Sequence, residues 1–132
     1  MRIVKKMKNK EIKLVLTGKP LSTNHIYKMS CLGGVPRYYM TKEGKQRKID
    51  YQWQINQQYK GQPIKEEVEM DVRIFFGDKR KNDYDNFGKI LNDSLIGQVL
   101  VDDSQIKKAT IILDYDKQNP KIELTIKKYE TT

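Results

Sequence analysis

The chain has 132 residues, a formal net charge of +9 and 33% charged against 37% hydrophobic residues, so one very polar domain with a single core is expected. Cys31 is the only cysteine and His25 the only histidine, which excludes disulfide frameworks, thiolate zinc clusters and a triad or dyad that needs a second histidine. No long apolar run occurs and none follows the basic opening MRIVKKMKNK, so no membrane span or signal peptide is predicted and a soluble cytoplasmic protein is expected.

In chain order, Ile12, Leu14 and Leu16 alternate with charged or polar neighbours and predict a half-buried strand over 11–17. Residues 18–40 hold two prolines and Gly33-Gly34 without a period of either kind, which predicts a long irregular loop. Thr41 is placed to cap a helix through residue 60, with Ile49 and Trp53 in one apolar row and Tyr51, Ile55 and Tyr59 in the next; Gly61-Gln62-Pro63 stops it. Val68, Met70, Val72, Ile74 and Phe76 carry the clearest period-two signal. A short helix beginning near Asp85 or Asn86 follows from Phe87, Ile90, Leu91 and Leu95, with Gly97 as its stop. Strands over 106–114 and 121–128 complete a β-α-β-α-β-β order. The fold class expected is α+β, a single domain over 1–132 with a mixed sheet of about four strands and two helices.

Charge is uneven along the chain. Residues 1–60 hold 14 Lys or Arg against 3 Asp or Glu, whereas residues 61–132 hold 12 against 14. The basic half points to a polyanion, since each phosphate contact releases condensed counterions. Six acidic residues nevertheless fall between Asp78 and Asp103. Asp83 and Asp85 flank a strand-to-helix junction, and Asp102 and Asp103 precede the next strand. A strand-helix-strand unit that returns the chain beside its start is expected to bring both pairs to one sheet edge. Clustered carboxylates repel unless a cation neutralises them, and an all-oxygen set suits Mg²⁺, with Mn²⁺ as a substitute. Plainer roles exist for each residue: Asp85 as a helix cap, Asp102 and Asp103 as turn residues, and Lys89 as a surface partner of Asp85 or Asp93 four residues away.

The run D-Y-D-N-F-G-K-I-L-N-D-S-L from Asp83 to Leu95, with Gly97 and then V-D-D-S-Q-I from Val101 to Ile106, resembles the signature of the RusA-type Holliday junction resolvases. K-P-L-S-T-N from Lys19 to Asn24 and R-Y-Y-M-T-K-E-G-K from Arg37 to Lys45 are similar to further elements of that family, and the likeness spans 11–128. The resemblance implies a homodimer of small α+β subunits that nicks paired strands of four-way junction DNA with Mg²⁺ and no small-molecule cofactor. It implies Asp83, Asp85 and Asp103 as catalytic acids and metal ligands, Asp102 as an adjacent ligand and Lys89 as the essential lysine. Phosphate or junction contacts are then expected from Lys79, Arg80, Lys81, Asn24 and Arg37, with Tyr38 and Tyr39 available for base stacking. A nuclease acting on forks, flaps or RNA, and a non-catalytic nucleic-acid binder, are the competing functions.

Overall fold

A computed structural model describes residues 11–21, 27–79 and 88–130. The described elements are β1 (Ile12–Thr17), β2 (Tyr27–Ser30), β3 (Arg37–Met40), α1 (Lys42–Gln58), β4 (Val68–Phe76), α2 (Gly88–Leu95), β5 (Ile106–Tyr115) and β6 (Lys121–Lys128). The main sheet runs β1-β6-β4-β5, with β6 antiparallel to both its neighbours and β4 parallel to β5. A parallel pair needs a crossover, and α2 lies on it. The expected α+β class, element order and mixed four-stranded sheet are all present. Among the described residues no helix is long and apolar enough to cross a membrane.

The period-two residues of three strands make one face of the sheet. Ile12, Leu14 and Leu16 of β1, the even positions from Val68 to Phe76 of β4, and Ile122, Leu124 and Ile126 of β6 are all buried. Tyr51 and Ile55 of α1 and Ile90, Leu91 and Leu95 of α2 cover them. The other face is polar and carries ion pairs such as Lys127–Asp71 and Arg73–Asp114, each at 4.0 Å. One dry and one wet face is what strict alternation requires. Thr41 caps α1 as expected, its Oγ1 accepting from the Gly44 N–H at 3.0 Å. Gly97 stops α2 at a φ of 93°, a conformation that a side chain disfavours.

Two expectations need correction. Residues 18–40 are not a plain loop, because β2 and β3 form an antiparallel hairpin with Tyr27 opposite Met40 and Met29 opposite Tyr38. Gly33 and Gly34, at φ 71° and 79°, make its turn. Of the two apolar rows, the one with Tyr51, Ile55 and Tyr59 meets the core, Tyr59 partly buried, while Ile49 and Trp53 are exposed. A helical wheel gives the spacing of rows but not which one a sheet will meet.

The α1 face beside β1 carries a feature with no sequence signal. Gln54 and Gln58, one turn apart, present their amides to the outer edge of β1. Gln58 Oε1 accepts from the Val15 N–H and Gln58 Nε2 donates to the Val15 carbonyl, at 2.8 and 2.7 Å. Gln54 does the same at Thr17, at 2.8 and 3.2 Å. Two side-chain amides thus stand in for a missing strand.

Candidate functional site

The expected site residues fall into three groups. Asp83, Asp85, Arg80, Lys81 and Asn24 lie outside the described residues. Lys89 and Asp93 sit on α2, with Tyr27 of the hairpin packed against them. Asp102 and Asp103 lie in the turn that leads into β5.

Around Lys89 the contacts are specific. Tyr27 donates its hydroxyl to Asp93 Oδ2 at 2.7 Å, and the Lys89 ammonium lies 3.8 Å from the same oxygen and 5.1 Å from the centre of the Tyr27 ring. Burial first, then the hydrogen bond to Asp93 and its charge, push the Tyr27 hydroxyl far above the usual tyrosine range. It stays a proton donor, so Asp93 remains an acceptor held between phenol and ammonium. The surface pairing of Lys89 with Asp93 is therefore present. Its side chain is still 59% exposed, which leaves a positioned cation facing solvent rather than one neutralised in a core.

The second group is a short 3₁₀ turn, Asp103–Gln105, that Gln105 ties in place. Gln105 Oε1 accepts from the N–H groups of Val101 and Asp102, both at 2.8 Å, and Gln105 Nε2 donates to the carbonyls of Ile64 and Glu66 at 2.7 and 2.8 Å. All four bonding positions of one amide are used, so the turn is anchored to the segment before β4. The Ser104 hydroxyl donates to Asp102 and is the main reason that the Asp102 carboxyl lies below the usual carboxylate range, so it is ionised at neutral pH. Asp102 and Asp103 are exposed, as their plain reading as turn residues also predicts. The sequence run points to the aspartates, while the glutamine beside them does the anchoring; its only signal is its place in V-D-D-S-Q-I.

The expected convergence of both acidic pairs at one sheet edge involves Asp83 and Asp85, which lie outside the described residues; the described part is the course of β4 and β5. Val68 pairs with Ile106 and Phe76 with Tyr115, so β5 starts beside the start of β4 and not beside its end. Those ends are separated by about 26 Å at the usual rise per residue. Lys79, whose ammonium stacks 5.1 Å from the Tyr115 ring, therefore sits at the opposite end of the parallel pair from Asp102 and Asp103. Arg37 stands on the exposed hairpin. A groove beside α2 is lined by Gly88, Leu91, Met70, Ile106 and Ala109 among others. Gly88 follows Asp85 by three residues and Ile106 follows Asp103 by three.

Among the described residues no group of three or more His, Cys, Asp or Glu side chains could hold a metal. The ionised Asp102 and exposed Asp103 are hard oxygen donors, and they fit a divalent cation as part of a larger set. Residues 18–127 match the family model described as endodeoxyribonuclease RusA. No curated protein matches the chain.

Proposed function

The chain belongs to the endodeoxyribonuclease RusA family, and from that premise we propose that it is a Mg²⁺-dependent nuclease that resolves four-way DNA junctions by paired nicks as a homodimer. The observation that carries this reading is the extent of the family match, which contains Asp83, Asp85, Lys89, Asp102 and Asp103.

In this reading Asp83, Asp85 and Asp103, with Asp102 beside them, hold Mg²⁺, which supplies charge stabilisation and an activated water. Lys89, steered by Asp93 and the Tyr27 ring, offers its ammonium to charge that develops on the scissile phosphate. Lys79, Arg80, Lys81, Asn24 and Arg37 contact the DNA backbone or the junction. A four-way junction has approximate twofold symmetry, so a twofold dimer puts one site on each of two opposed strands.

Cleavage of a labelled four-way junction, with duplex, fork and RNA controls and with or without Mg²⁺, tests the substrate. Asp83→Asn and Asp103→Asn are expected to abolish cleavage while binding is kept, because each removes a ligand and also a repulsion toward phosphate. Equal cutting of forks or RNA, or binding lost together with cleavage, contradicts the proposal. Lys89→Ala is expected to slow single-turnover cleavage by about 10²–10³, the cost of one preorganised donor, with Lys89→Arg recovering part. A Lys89→Ala protein that melts normally and cuts within about threefold of the original, ~0.7 kcal/mol of barrier, takes Lys89 out of the chemistry.

A further inference from the structure

Strand β5 has a neighbour on one side only among the described residues. None of its ten residues is fully buried, and Ile112, Leu113 and Tyr115 are 44%, 39% and 39% exposed. A long edge with apolar side chains on both faces is the kind that proteins usually blunt, as this one blunts β1 with two glutamines.

The two faces of β5 follow from its partners on β4. Ala109, Ile111, Leu113 and Tyr115 lie opposite Met70, Val72, Ile74 and Phe76, all buried, and so share the face that the helices cover. Lys108, Thr110, Ile112 and Asp114 point to the polar face. If two copies of β5 pair antiparallel, the twofold axis stands perpendicular to the sheet and residues directly opposite must share a face. Residues of one parity then face each other, so the axis passes through a residue rather than between two.

An axis at Thr110 sets Lys108 against Ile112 and leaves Asp114 opposite Ile106. An axis at Ile112 pushes Lys108 beyond the end of the strand, to Asp116, which already holds Lys121 at 2.9 Å. An axis at Ile111 sets Lys108 against the partner's Asp114 on both sides of the axis. Lys108 lies 3.9 Å from Glu69, and Asp114 lies 4.0 Å from Arg73. The row across the seam then reads Glu69, Lys108, the partner's Asp114 and the partner's Arg73, alternating in sign. Exposed pairs of this kind add little affinity, but they penalise wrong registers.

The helix-covered face agrees with the same axis. Ile111 meets its own copy, and Ala109 lies opposite the partner's Leu113. Beside Ala109 the groove of about 80 Å³ between α2 and the sheet is lined by Met70, Val72 and Leu91, so the small side chain leaves apolar space next to an incoming leucine.

We propose that β5 pairs antiparallel with β5 of a second copy about a twofold axis at Ile111, joining two four-stranded sheets into one. This seam deepens the dimer part of the function above and is independent of the nuclease part.

Light scattering of the full chain tests it. The unaltered protein is expected at twice its 15.6 kDa mass at micromolar concentration. Asp114→Lys sets like charges opposite each other twice and is expected to weaken the dimer by about tenfold. Lys108→Asp added to Asp114→Lys restores it, whereas Lys107→Asp does not. In a Cys31→Ser background, Ile111→Cys is expected to cross-link to its own copy under mild oxidation and Thr110→Cys is not, since only residue 111 has its twin at strand-pair distance. Melting curves confirm that each variant is folded. A monomeric unaltered protein contradicts the homodimer itself. A dimer indifferent to Asp114→Lys, rescue by Lys107→Asp, or equal cross-linking at 110 and 111 overturns the seam while leaving the nuclease assignment standing.

Discussion

The two edges of the main sheet are treated in opposite ways. At β1 the outward backbone of Val15 and Thr17 is fully engaged by Gln58 and Gln54 of α1, and Leu14 and Leu16 beneath are 1% and 0% exposed. At β5 no comparable cover exists among the described residues, and Leu113 on the helix-covered face is 39% exposed. A helix packed across a sheet gives its edge dry side chains and backbone partners at once, whereas α2 packs over β4 and leaves β5 only partly shielded. An edge closed from within the chain needs nothing further; an edge left open is a place for another chain.

Three measurements test this contrast. Urea denaturation of dilute protein is expected to show Leu14→Ala losing about 2–5 kcal/mol, the usual range for a fully buried leucine, while Leu113→Ala loses under about 1 kcal/mol. Similar losses at both positions would mean that β5 is as well covered as β1. Gln54→Ala and Gln58→Ala each delete two hydrogen bonds to the β1 backbone and are expected to cost about 1–2 kcal/mol. Amide exchange separates the two, since protection should drop at Thr17 in the first variant and at Val15 in the second, with no change along β5.

The smallest effect is set by pH. Asp116, in the turn between β5 and β6, accepts from Lys121 Nζ and from the N–H groups of Asn119 and Gln118, and the lysine above all holds its carboxyl below the ordinary value of 3.8. A depressed folded pKa contributes stability above the unfolded value and loses it as pH falls through the folded one. Acid below about pH 4 is therefore expected to loosen the end of β5 while the uncharged glutamines keep β1 closed. Exchange rates near Tyr115 that rise in acid no faster than those at Val15, or that still rise in an Asp116→Asn protein, would remove this turn as the cause.

Much of the fold is legible in the residues alone. The alternation of Val68 to Phe76, the Thr41 cap and the Gly97 stop are local signals, each written by a few neighbouring residues, and all three are realised. The hairpin is not legible, because strands of four residues whose outer sides stay in solvent carry no apolar alternation, and only the pairing of Met29 with Tyr38 reveals them. The Ile49–Trp53 row misleads for a related reason: aromatic residues at helical spacing read as core whether or not a sheet lies beneath.

The candidate site divides in the same way. Lys89, Asp102 and Asp103 are visible in the motif, as are Asp83 and Asp85, because residue type and spacing are properties of the chain itself. Tyr27 and Gln105 are not, since each acts on partners between 3 and 66 residues away. The inference that both acidic pairs meet through a strand-helix-strand return turns on Asp83 and Asp85, which lie outside the described residues, while the parallel neighbour β5 begins beside the beginning of β4.

Which strand residues turn inward, where α1 begins and α2 stops, and which side chains are capable of the chemistry are therefore written in the order of amino acids, because each depends on contacts within a few positions. The strand order, the parallel register of β4 and β5, the closing of β1 by Gln54 and Gln58, and the placing of Tyr27 against Lys89 emerge only once the chain is packed. Those depend on which distant segments share a boundary, and backbone hydrogen bonds, being the same for every residue type, leave that choice to the packing of the whole chain.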